Sequence, residues 1–150
     1  MHRVSRLTVT AIALGAAGLL AACESGSMSA ANTKTLHATL STQQEVPPAT
    51  GGGSGSGTFT LDPATKQLTW NVNYSGLSGA AGAAHIHGPA APGANAGVVV
   101  NLAPSGVGNP LTGSATLTDA QIADLLAGKD YVNIHTAANK GGEIRGQITP

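Results

Sequence analysis

His85 and His87 are separated by one residue in Ala84-His85-Ile86-His87-Gly88, and His135 closes the stretch Tyr131-Val132-Asn133-Ile134-His135. In an extended strand, residues i and i+2 share a face. His85 and His87 therefore project to one side and Ala84 and Ile86 to the other. His135 projects with Tyr131 and Asn133, opposite Val132 and Ile134. Three of the five histidines in the chain thus lie away from an apolar face. Neutral imidazoles suit copper and zinc, with Zn–N bonds of about 2.0–2.1 Å, and Cu(II) outcompetes other divalent first-row ions at most nitrogen and oxygen sites. One strand carrying two ligands, joined by a third from another strand, makes a compact three-nitrogen set. His85, His87 and His135 are therefore the candidate metal ligands, for one copper or zinc ion with copper first, on an outer face that a metal can reach without opening the core. Asn133 or Glu143 could hold a ligand imidazole by its second nitrogen. The competing reading is that these histidines only hydrogen-bond to loops and backbone carbonyls, the commoner fate of a surface histidine. Ligands about 2 Å from one ion lie within about 4 Å of each other, so the spacing of the ring nitrogens separates the two readings. His37 has the same outward parity but no motif around it, and reads as a surface residue.

Strands must position these side chains. Few aromatics, 21 glycines and short alternating runs indicate an all-β fold, an antiparallel Greek-key sandwich or barrel with one short helix. Leu36, Ala38 and Leu40 alternate with polar neighbours, and Pro47-Pro48 ends that strand. The Gly/Ser run over residues 51–57 reads as a mobile turn. Phe59 and Leu61, then Leu68, Trp70, Val72 and Tyr74, give the inward faces of a hairpin turned at residues 62–65. A Pro/Gly/Asn loop over residues 89–96 puts the His85–His87 pair near a strand end. Val98-Val99-Val100-Asn101-Leu102 reads as a buried strand from its continuous apolar run, and residues 113–117 as a further short one. Thr118 with Gln121 three residues on is a capping box. Ile122, Leu125 and Leu126 follow as one stripe and Gly128 stops it, which predicts the single helix over 118–127. Glu143, Arg145 and Gln147 alternate with Ile144, Gly146 and Ile148 in a last strand. Pairing with the 131–136 strand would put Glu143 and Arg145 on the face of His135.

The start of the chain speaks to location. Arg3 and Arg6 precede an uncharged apolar run over residues 7–20, too short for a confident span, which needs about 20 apolar residues, and reading as the core of an export signal. Leu20-Ala21-Ala22-Cys23 resembles the bacterial lipobox, which implies lipidation at Cys23. That cysteine is the only one, so no intramolecular disulfide forms and no thiolate is left for a metal site. The chain divides into a signal over 1–22, the lipidated cysteine with a Gly/Ser/Ala tether over 23–33, and one domain over 34–150. The expected location is the cell envelope, on a membrane through the lipid anchor, with the domain facing the periplasm or the exterior. Removing the signal takes two of the seven basic residues and none of the seven acidic ones, leaving a net charge of about −2. A chain so balanced has no electrostatic footprint for nucleic acid.

Four segments carry a family resemblance. Glu45-Val46-Pro47-Pro48, Ala84-His85-Ile86-His87-Gly88, Tyr131-Val132-Asn133-Ile134-His135-Thr136 and Gly142-Glu143-Ile144-Arg145-Gly146-Gln147 occur in the order of the CHRD domain, the module also repeated in chordin. The resemblance runs from about residue 35 to 148. It implies an antiparallel β-sandwich or barrel and little about activity. The extracellular protein binding of chordin transfers only as an analogy of fold. A weaker resemblance, of the His-x-His strand and the terminal arginine strand, is to the copper strand of Cu/Zn superoxide dismutase. Residues 88–112 contain no His, Asp, Glu or Cys, so the zinc loop of that enzyme has no counterpart. A dismutase-like enzyme is thus the remote alternative.

Other chemistry is poorly supported. No serine lies in a G-x-S-x-G context, acidic residues are few, and Gly51-Gly52-Gly53 opens no helix that would bind phosphate. The sequence reads as a binding protein without catalytic residues. Its two functional readings are a metal-binding envelope protein and an extracytoplasmic interaction or structural module with a protein partner. A large exposed apolar patch would favour the second.

Overall fold

The computed structural model describes residues 32–150. The expected export signal, Cys23 and all but the end of the expected tether lie outside the described residues. Among the described residues no helix is long and apolar enough to cross a membrane.

Eight strands form one antiparallel sheet: β1 (Lys34–Ser41), β2 (Ser54–Asp62), β3 (Gln67–Ser75), β4 (Ala81–His87), β5 (Val98–Asn101), β6 (Leu111–Thr116), β7 (Tyr131–Thr136) and β8 (Ile144–Gln147). Their order is β5-β4-β7-β8-β1-β2-β3-β6. Chain connections from β3 to β4, β5 to β6 and β6 to β7 cross between two four-stranded groups, in keeping with the Greek-key expectation. The groups meet at β8 and β1, where Ser41 pairs with Arg145 and an isolated bridge joins His37 to Thr149. The sheet curls into a nearly closed barrel around one apolar core. Leu36, Phe59, Leu68, Val72, Ile86, Val132, Ile134 and Ile144 are buried there in a single cluster. Full burial of each large side chain contributes roughly 1.5–3 kcal/mol.

The expected hairpin is present, with Phe59 opposite Trp70 and Leu61 opposite Leu68. The Gly/Ser run differs from expectation, because Ser54 to Gly57 belong to β2 and are no mobile turn. Close packing explains the glycines. A Cβ on Gly57 would stand 2.7 Å from the Phe59 ring, and one on Gly55 would stand 2.7 Å from the Asn73 carbonyl oxygen. The Val98 strand also differs. It is β5, an edge strand paired only with β4, so Val100 faces the core while Val98 is 56% exposed. The helix α1 (Asp119–Leu126) has its capping box: Gln121 N–H donates to Thr118 Oγ1 at 3.3 Å, and Thr118 N–H donates to Gln121 Oε1 at 2.8 Å. Leu125 alone of its stripe is fully buried.

Candidate metal centre

Ala84 and Ile86 are drawn into the core, which fixes His85 and His87 on the outer face of β4. Strand β7 runs beside it, with Ala83 opposite His135, His85 opposite Asn133 and His87 opposite Tyr131. His135 is thus a diagonal neighbour of His85. The three rings cluster, with centroids 4.9 Å apart for His85 and His135, 5.5 Å for His85 and His87, and 6.0 Å for His87 and His135. One ring nitrogen from each lies within 4.8 Å of the others. Nitrogens about 2.0–2.1 Å from one ion are at most about 4.2 Å apart. The spread of up to 4.8 Å is wider than the about 4 Å that ligands of one ion require, so the rings as placed must draw together to share an ion.

Hydrogen bonds fix how the rings present themselves. His87 Nδ1 lies 3.0 Å from the Ala96 carbonyl oxygen and His135 Nδ1 lies 3.0 Å from that of Lys140. A carbonyl only accepts, so both Nδ1 atoms carry the proton and both Nε2 atoms carry a lone pair. His85 Nδ1 is 3.0 Å from His135 Nε2 and must be the donor in that pair. His87 Nε2 is buried and has no hydrogen-bond partner. An unpaired buried polar atom costs about 1–3 kcal/mol, and a metal ion at this point would satisfy it. Backbone carbonyls thus hold the second nitrogens of His87 and His135, the role expected of Asn133 or Glu143.

Those two side chains are engaged elsewhere. Asn133 Nδ2 donates to Glu45 at 3.0 and 3.1 Å. Glu143 precedes the first residue of β8, where the regular ladder has ended. Its carboxylate accepts from Ser78 N–H and Oγ–H and from Thr136 Oγ1–H, each at 2.6 Å, and from Asn139 Nδ2 at 3.0 Å. Arg145 does share the outer face, opposite Asn133, but serves a different purpose from a ligand holder. Its guanidinium carbon lies 3.4 Å from the Tyr131 ring centre, and it donates to Asn95 Oδ1 and to the Ala94 carbonyl. His87 stacks on Tyr131 with centroids 5.0 Å apart. Tyr131, Asn133, Arg145 and Glu45 are all buried. The outer face of β4, β7 and β8 is therefore a second, polar layer roofed by loops, and the three histidines are half-buried at its margin instead of fully exposed. His37 remains exposed and apart from the cluster.

Burial sets the electrostatics. Loss of water lowers the pKa of all three histidines, helped at His85 by its neighbours His135 and His87 and at His87 by His135 and Arg145. The Ala96 and Lys140 carbonyls oppose the shift at His87 and His135. The imidazoles are thus held neutral, the form that binds metal. Burial also pushes Glu45 up to about 7, against Arg145 and Asn133, which pull it down. Sequence reasoning brought the three histidines together, and its competing reading, bonds to backbone carbonyls, is met at His87 and His135, but which carbonyls and which cover loops it did not show. Backbone carbonyls carry no residue signal, whereas Glu45 and Arg145, charges in a chain with few of them, carried one that the reading above did not use.

A family model described as the CHRD domain matches residues 36–148. No curated protein and no solved structure matches the chain at a significant level.

Proposed function

The chain belongs to the CHRD domain family, and from that premise we propose that it is an exported domain that binds one transition-metal ion, copper before zinc, through His85, His87 and His135. The observation that carries the reading is the buried, unpartnered Nε2 of His87 beside two further imidazoles whose nitrogens lie within 4.8 Å. His87 and His135 offer Nε2, and His85 joins by giving up its hydrogen bond to His135. Binding rather than catalysis is the role proposed. Lipidation at Cys23 would hold the domain at an envelope membrane. The interaction-module reading gains less support, because Val98 and Leu126 are the only large hydrophobics exposed among the described residues.

Calorimetric titration of the full-length chain in detergent with Zn(II) and Cu(II) tests the site. One ion should bind per chain. His85→Ala and His135→Ala should each weaken binding at least tenfold, and His37→Ala should leave it unchanged. Affinity should fall as pH drops below the ordinary histidine value of 6.5, since protons compete for the same nitrogens. A wild type that binds no tighter than His85→Ala would eliminate the site. Cell fractionation of Cys23→Ser tests the anchor, and a wild type as soluble as the variant would remove it.

A further inference from the structure

The composition of the cluster narrows the ion it takes, a step that rests on the three-histidine reading above. The cluster contains histidines alone, with no carboxylate or thiolate. Asp130, beside Gly88 with a buried and unpartnered Oδ1, lies outside the cluster, and two further carboxylates are committed. Glu45 is bonded to Asn133 and Glu143 to Ser78, Thr136 and Asn139. The hollow that opens beside His135 is lined by Ala80, Ala81, Ala83, Ala137 and Lys140, none of them able to supply negative charge. The guanidinium of Arg145 lies 3.4 Å from the centre of the Tyr131 ring on which His87 stacks, and its positive charge opposes a cation near His87.

Two physical consequences follow. The cost of desolvating an ion grows with the square of its charge, so a half-buried site with neutral ligands and a nearby cation penalises a dication far more than a monocation. Coordination number acts in the same direction. Zinc takes four ligands, and Cu(II) favours tetragonal nitrogen and oxygen sets, so either must complete its shell with water. Monovalent copper, a d10 ion, is satisfied by three nitrogens. Soft sulfur donors, the usual means of choosing Cu(I), are missing here, since Met1, Met28 and Cys23 all precede the domain.

We infer that the His85, His87 and His135 site selects monovalent copper over Cu(II) and Zn(II), through an uncharged three-nitrogen donor set enclosed beside a buried arginine. The ion is retained as Cu(I), and selection rests on charge and coordination number.

The test uses the full-length chain in detergent. Under anaerobic, reducing conditions it competes for Cu(I) with a chromophoric Cu(I) chelator, and in parallel for Zn(II) and Cu(II) with chelators of known affinity. Cu(I) should be held at least 100-fold tighter than Zn(II). A 100-fold preference for Cu(I) over Cu(II) would appear as a midpoint potential about 120 mV above the aqueous couple. Ala83→Asp, which puts a carboxylate opposite His135 on the outer face without touching the core, should raise Zn(II) affinity at least tenfold and Cu(I) affinity much less. Arg145→Gln should act in the same direction, with Arg145→Lys restoring the wild-type ratio. A wild type that holds Zn(II) or Cu(II) as tightly as Cu(I) would overturn the selectivity while leaving the three-histidine site standing. Cu(I) binding equal in wild type and His85→Ala would instead remove the site itself.

Discussion

The β2–β3 hairpin and the β4–β7–β8 group are built from the same alternating pattern, yet their outer faces differ. Along β3, Leu68, Trp70 and Val72 are buried while Gln67, Thr69, Asn71 and Asn73 are exposed. Along β7, Val132 and Ile134 are buried in the core, but Tyr131 and Asn133 on the other face are buried too. Cover makes the difference: residues 42–50 and 88–97 fold over the second group and leave the first in water. Asn95 binds the Val46 carbonyl at 2.9 Å, tying the two loops together. Polar side chains are cheap on a solvated face and must all find partners on a roofed one. The roofed half therefore holds the fixed tautomers, the most strongly shifted carboxyls and the clustered imidazoles, while the open half supplies core.

If this contrast is right, only inward residues matter for stability in the hairpin, whereas both faces matter in the roofed group. The largest effect should come from Trp70→Ala, at about 3–5 kcal/mol, against a change within about 0.5 kcal/mol for Asn71→Ala one residue away. Equal midpoints in chemical denaturation would show that the strand parity is wrong. Next in size, Asn133→Ala should cost about 1–3 kcal/mol, because it removes the side-chain donor of the buried Glu45 carboxyl. Asn73→Ala, the same change on the open face, should cost almost nothing. Similar losses for the two asparagines would abolish the distinction between the halves.

Carboxyls in the roofed half give a smaller, pH-dependent effect. Glu45 has its folded value raised from 4.5 to about 7, so the unfolded chain loses its proton first. Stability associated with Glu45 is then full below 4.5 and declines as pH rises to about 7. Glu45→Gln should flatten that slope and be more stable than wild type above pH 7, read by thermal melts across the range. Glu143 runs the other way. Burial opposes its charge, but hydrogen bonds from Ser78, Thr136 and Asn139 outweigh that and hold it at about 2. Its contribution is present above 4.5 and lost as pH falls toward 2, a loss that Glu143→Gln should abolish. The smallest change belongs to the solvated surface: Lys66→Ala breaks the exposed 2.8 Å pair with Asp119 and should shift stability by no more than about 0.5 kcal/mol.

By itself, the sequence determined most of the strands, the hairpin and its inward faces, the capped helix and the shared outward parity of His85, His87 and His135. These follow from local alternation and capping chemistry, which a linear chain displays directly. Whether an outward residue meets water depends on which distant loops cross it, and that was decided only in the folded chain. Gly55 and Gly57 read as a flexible turn because a glycine shows no reason for its presence until Phe59 and Asn73 are packed against it. Glu143 was aimed at His135 by parity, but β8 begins one residue later and its carboxylate turns to Ser78. The carbonyls of Ala96 and Lys140, which set the imidazole tautomers, belong to the backbone that every residue shares. Only the tertiary path of the loops brings those two carbonyls to the rings.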